Sequence, residues 1–151
     1  SLAAAVGLGA LFGPAQVAAR VIEMAGRGRH HPIWTMAVSV ALVLGGLVAL
    51  RLGWAAAPAI LSYGAGNGLW SIARGALPLA VFGAADYPRI MGRIAPMAMI
   101  ASAAGPWIAG AVIDRAGPGG TLSLLVGLAL LPPGMALALA LLLRGGRGTA
   151  G

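Results

Sequence analysis

From Ala116 to Leu143 this chain carries no charged side chain, and the same holds for residues 94–113, 52–73 and 32–50. Uncharged runs of that length constrain the fold more than any motif does. A helix needs about 20 mostly apolar residues to cross the hydrocarbon of a bilayer, and five segments come close: 2–23, 34–50, 56–82, 91–113 and 121–143. The runs are continuous and do not alternate, which argues for spanning helices over a membrane β-barrel. The expected fold class is an all-α integral membrane protein, a bundle of five transmembrane helices over residues 1–151. Composition agrees: 60% of residues are hydrophobic and 9% charged, and the mean hydropathy is +0.93. Soluble domains run to about 25% charged residues, because a small globule must cover its surface.

The net charge of +7 comes from Arg against three acids. These cations fall between apolar runs and form no single patch, so they speak to orientation in a membrane and against nucleic acid. Arg20, Arg27, Arg29, Arg89, Arg93, Arg144 and Arg147 fall on one side of a five-crossing chain, and Arg51 and Arg115 on the other. The positive-inside rule then places the N-terminus outside and the C-terminus in the cytoplasm, in a cell membrane such as a bacterial inner membrane. Trp34 and Trp54 suit an interfacial belt. There is no cysteine, which excludes disulfides and thiolate chemistry. His30 and His31 are adjacent and lack a converging third ligand, so no metal is expected there. No cofactor and no enzymatic activity are expected: the sequence offers no Ser-His-Asp arrangement, no paired catalytic carboxylates and no phosphate-cradling loop.

The third segment contains GAGNGLWSIARG, and its arginine sits in an otherwise apolar run. At 100° per residue Tyr63, Asn67, Ser71 and Arg74 share one face, with Trp70 at its flank. Gly64, Gly68 and Gly75 form the neighbouring stripe and read as a surface for close helix packing. A mid-membrane Arg is costly, so three readings of Arg74 stay open: it lines a cavity and attracts an anionic group on a small solute, it pairs with an acid on another helix, or it snorkels to the interface. Asn67 serves equally as a cavity-lining or a helix-pairing residue. Gln16, Arg20 and Glu23 recur along one face of the first segment, with Arg20–Glu23 read as a local ion pair. Pro14, Pro96 and Pro106 are expected to kink their helices, and Pro132-Pro133 to break or bend the last one.

One further pattern joins these parts. Val21-Ile22-Glu23-Met24-Ala25-Gly26 aligns with Val112-Ile113-Asp114-Arg115-Ala116-Gly117, three helices further along and in the opposite orientation, as in inverted-repeat transporters. Gly13-Pro14-Ala15-Gln16 through Arg20, followed by Gly26-Arg27-Gly28-Arg29, resembles the cytoplasmic Gly-x-x-x-Asp-Arg-x-Gly-Arg-Arg loop of the major facilitator superfamily, without a counterpart of its Asp. Residues 86–93, from Asp86 to Arg93, are similar to that family's loop before the eleventh helix, and Gly105-Pro106 through Gly117 to that helix and its end.

The resemblance implies a C-terminal half of such a transporter, about helices 8–12, whose partners would be the lipid bilayer, the preceding helices of the same transporter and a small-molecule substrate that Arg74 would suit if anionic. It also implies gating roles at the cytoplasmic loops for Arg20, Glu23, Arg27, Arg29, Asp86, Arg89 and Arg93, and alternating access as the mechanism. The competing expectation is a non-transporting membrane subunit or scaffold whose polar residues serve only helix packing.

Overall fold

The computed structural model describes residues 2–26 and 31–147, with side chains described as far as Gly134. The described residues are helical almost throughout and contain no strand. The helices are α1 (Leu2–Ala10), α2 (Phe12–Ala25), α3 (Pro32–Arg51) and α4 (Ala56–Arg147). Helices α1 and α2 are one apolar rod interrupted at Leu11. The cause lies three residues on: Pro14 has no N–H for the carbonyl of Ala10, and its ring crowds that carbonyl. Three stretches, Leu2–Ala25, Pro32–Arg51 and Ala56–Gly134, are long and apolar enough to cross a membrane.

Local chemistry sets the ends of α3. Pro32 occupies the first turn, where its missing N–H costs nothing, and His31 caps it by accepting from the Ile33 N–H at 3.3 Å through Nδ1. At the other end Gly53 takes φ 73, its N–H donates to the Leu50 carbonyl at 3.2 Å, and the Trp54 N–H donates to the Ala49 carbonyl at 2.9 Å. That is a Schellman stop, which needs a residue able to adopt positive φ. The connection of Leu52 to Ala55 is too short for anything except a neighbouring helix, and α4 packs back along α3.

The N-terminal part of α4 lies between α2 and α3, and glycine makes this possible. A methyl group at Gly68 would stand 2.5 Å from the Gln16 carbonyl oxygen, and one at Gly64 would stand 2.9 Å from the Phe12 carbonyl oxygen, both on α2. On the other side, a methyl at Gly66 would lie 2.8 Å from the Ser39 carbonyl oxygen, and one at Gly46 of α3 would lie 2.6 Å from that of Ala59. The helix backbones therefore touch where Cβ atoms are missing. Ala15, Leu47, Ala59, Leu69 and Ala73 are buried in these two seams.

The expected five-helix bundle is not what forms. Packing joins α2, α3 and the beginning of α4, whereas beyond that region the large apolar side chains stand open: Met97 is 73% exposed, Ile100 71% and Trp107 80%. The reason is visible in the glycines. At Gly92, Gly105, Gly110, Gly127 and Gly134 a Cβ would meet nothing within 4 Å, so among the described residues after Gly83 no glycine sits against a neighbouring backbone as those of the first part do.

Helix α4 is also not one straight rod. Gly83 (φ 75, ψ 167) and Gly117 (φ 65, ψ −176) leave helical geometry for a region open essentially to glycine alone. Gly117 precedes Pro118, which itself disfavours the helical conformation of its neighbour. After Gly83 the chain bends back, and the Tyr87 hydroxyl comes within 3.9 Å of where a Gly75 Cβ would be. Helical assignment continues through Pro96, Pro106, Pro132 and Pro133. Both breaks fall in the gaps expected between the segments 56–82, 91–113 and 121–143, and each is made by one positive-φ glycine.

Candidate functional site

Four hydroxyls in the packed region form hydrogen bonds to the protein, three of them across helices. Ser39 is fully buried, and its Oγ donates to the Gly66 carbonyl at 2.8 Å. Ser62 Oγ donates to the Leu42 carbonyl at 2.9 Å. Buried Thr35 donates through Oγ1 to Glu23 Oε1 at 2.5 Å, tying α3 to α2. Ser71 Oγ returns to its own helix, at 2.7 Å from the Gly68 carbonyl oxygen. In an apolar surrounding each such bond is worth about 0.6 kcal/mol on average, and at most about 1.7.

The polar groups of Tyr63 and Asn67 behave differently. Neither the Tyr63 hydroxyl nor the Asn67 amide has a hydrogen-bond partner among the described residues. The Tyr63 ring is fixed by stacking on Phe12 of α2, with centroids 5.4 Å apart and planes inclined by 28°. Tyr63, Asn67 and Trp70 follow one another at i, i+4 and i+7, and together they line a recess of about 210 Å³. Its opposite wall is Ser39, Val40 and Val43 of α3, and Pro132 closes on it from the last stretch of α4.

Of the five cavity candidates, three thus meet at one recess. Ser71 is turned into its own backbone. Arg74, one turn beyond Trp70, is exposed and has no hydrogen-bond or ionic partner among the described residues. Its guanidinium does not line the recess.

The loop candidates are scattered. Arg20 is half-buried, and its Nε is buried with no partner among the described residues. The expected Arg20–Glu23 ion pair is absent among them, because Glu23 Oε1 faces α3 and receives the Thr35 hydroxyl. Arg27, Arg29 and His30 lie outside the described residues. Asp86, Arg89 and Arg93 are exposed beyond the Gly83 break, and among the described residues no hydrogen bond joins them to Arg20 or Glu23.

Sequence reasoning missed Thr35 and Ser39. Their signal was present: with Gly46 they recur at helical spacing along one face of an otherwise aliphatic segment, and that face meets α2 and α4. Of the glycine stripe, Gly64 and Gly68 make the close approach, Gly66 does so on the opposite side, and Gly75 does not.

A second recess, of about 240 Å³, lies at the α2–α3 end between Glu23, Pro32, Thr35 and Ala73. Among the described residues no group of three His, Cys, Asp or Glu comes together to hold a metal. The chain matches no family model, no curated protein and no solved structure, so the resemblance to the major facilitator superfamily finds no support outside the motifs that carry it.

Proposed function

We propose that this chain supplies helices to a multi-pass membrane protein and, within it, to a secondary transporter of the major facilitator kind, which moves a small solute by alternating access. What carries the reading is the contrast between spent and unspent polar groups. The hydroxyls of Thr35, Ser39 and Ser62 are used up in holding helices together, while Tyr63 and Asn67, whose hydroxyl and amide have no hydrogen-bond partner among the described residues, line an open recess. In hydrocarbon an unpaired polar group costs several kcal/mol, so such groups belong beside water or a solute.

The two glycine breaks also suit a bilayer. Unbroken, α4 would extend on the order of 140 Å at 1.5 Å per residue, far beyond a hydrocarbon core of about 30 Å. Cut at Gly83 and Gly117 it becomes three lengths that each cross with some tilt. Five crossings then put the two ends on opposite faces, with the Arg-rich side in the cytoplasm. The reading assigns the chain no catalytic chemistry.

The test is solute flux in proteoliposomes for the protein and for Asn67→Leu and Tyr63→Phe, over a panel of small solutes. Loss of flux with the helical fold retained supports the reading, and unchanged kinetics for every solute removes it. The interhelix hydroxyl bonds favour a second reading, a non-transporting subunit in which polar residues act only as adhesive. That reading predicts that Asn67→Leu loosens the helices as much as Ser39→Ala does.

A further inference from the structure

Resting on that transport reading, we infer that the recess at Tyr63, Asn67 and Trp70 takes an uncharged, flat, largely apolar solute carrying an amide-like group, and that it discriminates against anions. One of the three sequence readings of Arg74 is attraction of an anion, because it shares a helical face with Asn67 and Tyr63. The geometry removes that argument. Among the described residues no charged side chain lines the recess, and Arg74 is exposed outside it. An anion entering would lose hydration and gain no counter-charge, at a cost far above that of a neutral group.

The walls specify the rest. Val40, Val43 and Pro132 are apolar, and the aromatic residues Tyr63 and Trp70 complete the lining, which suits a planar apolar body. Its lining residues include one amide, Asn67, able to donate and accept together, and one phenol, Tyr63. The Ser39 hydroxyl is already committed to the Gly66 carbonyl, so it offers the solute little. A primary carboxamide is the smallest neutral group that answers the Asn67 donor and acceptor with its own acceptor and donor. Pockets that orient by a few hydrogen bonds within an apolar lining discriminate steeply against a partner that leaves those groups unpaired.

Three compounds of one shape separate the charges: benzamide is neutral, benzoate anionic and benzamidine cationic at pH 7. Equilibrium binding of each, radiolabelled, to the detergent-solubilised protein should favour benzamide by 10-fold or more over both ions. Asn67→Leu should remove that preference and weaken benzamide by about 10-fold, while Arg74→Ala leaves all three unchanged. Benzoate bound best, with that preference lost in Arg74→Ala, would overturn the neutral-solute inference and leave the cavity itself standing. Full benzamide affinity in Asn67→Leu would remove the amide's role. Binding of none of the three would overturn the inference and count against the transport reading on which it rests. Binding of benzamide without its flux in proteoliposomes would sink the transport reading alone.

Discussion

Gly68 and Gly105 are both helical glycines among Ala, Leu and Ile, yet they occupy different physical situations. A methyl on the first would stand 2.5 Å from the Gln16 carbonyl oxygen, and a methyl on the second would touch nothing within 4 Å. The same contrast separates the seams of α2, α3 and early α4 from the described part of α4 after Gly83. Before Gly83, Gly46, Gly64, Gly66 and Gly68 face the backbones of neighbouring helices, Ser39 and Ser62 face carbonyls, and Ala73 and Ala59 are sealed in seams. After it, equally apolar residues such as Met97, Ile100 and Trp107 stand open. Hydrophobicity therefore does not distinguish the packed region from the open one. In lipid there is no hydrophobic drive between helices, and association depends on shape and on polar bonds. The first region has both in matching positions.

Substitutions can break this comparison, and the largest effect belongs to Gly68. Placing Gly68→Leu against a backbone carbonyl that cannot yield should cost about 3 kcal/mol or more and separate α2 from α4, since even modest overpacking costs 1–3 kcal/mol. Gly105→Leu should change stability by less than about 0.5 kcal/mol, as open sites do. Unfolding of the two variants in mixed detergent, followed side by side, reads the difference. Equal effects would erase the distinction between the regions.

The next effect concerns the boundary between them. Gly83→Ala forces a side chain into φ 75, ψ 167, which costs roughly 1–3 kcal/mol. Relief comes by straightening the helix, so spin labels at positions 79 and 94 should move apart. An unchanged label distance would mean that the bend does not depend on glycine. Within the packed region Ser39→Ala should cost about 0.6–1.7 kcal/mol, the range for one interhelical hydrogen bond in an apolar medium, with the same unfolding assay as its measure. The smallest effect sharpens the link between regions. Arg51 Nε donates to Ser123 Oγ at 2.9 Å across an exposed surface. Arg51→Ala should cost less than about 0.5 kcal/mol, because exposed polar contacts contribute little.

What could be read in the sequence followed the same physics. Uncharged runs and the absence of alternation determine an all-helical chain with helices long enough for a bilayer, and the Gly64/Gly68 pair marks a packing face at i, i+4. Gly66 was missed because a wheel drawn for one face ignores a helix clamped on two. The bundle was misjudged because a periodic pattern says which residues share a face, and nothing about whether another helix carries the complementary surface. The gaps expected between segments 56–82, 91–113 and 121–143 are single-residue breaks at Gly83 and Gly117, since one glycine at positive φ redirects a helix without a connecting segment. At the recess, the shared face of Tyr63, Asn67 and Arg74 was legible from spacing. The outward position of Arg74 was not, because rotamer and exposure depend on neighbours that spacing does not encode.

The central claim is that α4 begins its course in direct backbone contact with α2. Ala15 Cβ lies 3.1 Å from where a Gly64 Cβ would be, a few tenths of an ångström short of the usual disulfide spacing of about 3.5–4.5 Å. The chain has no cysteine of its own, so an Ala15→Cys, Gly64→Cys protein carries only that pair. Under mild oxidation in its membrane, counted by maleimide mass tagging, it should lose both free thiols, while an Ala15→Cys, Gly105→Cys protein keeps them. Two free thiols in each would contradict the account.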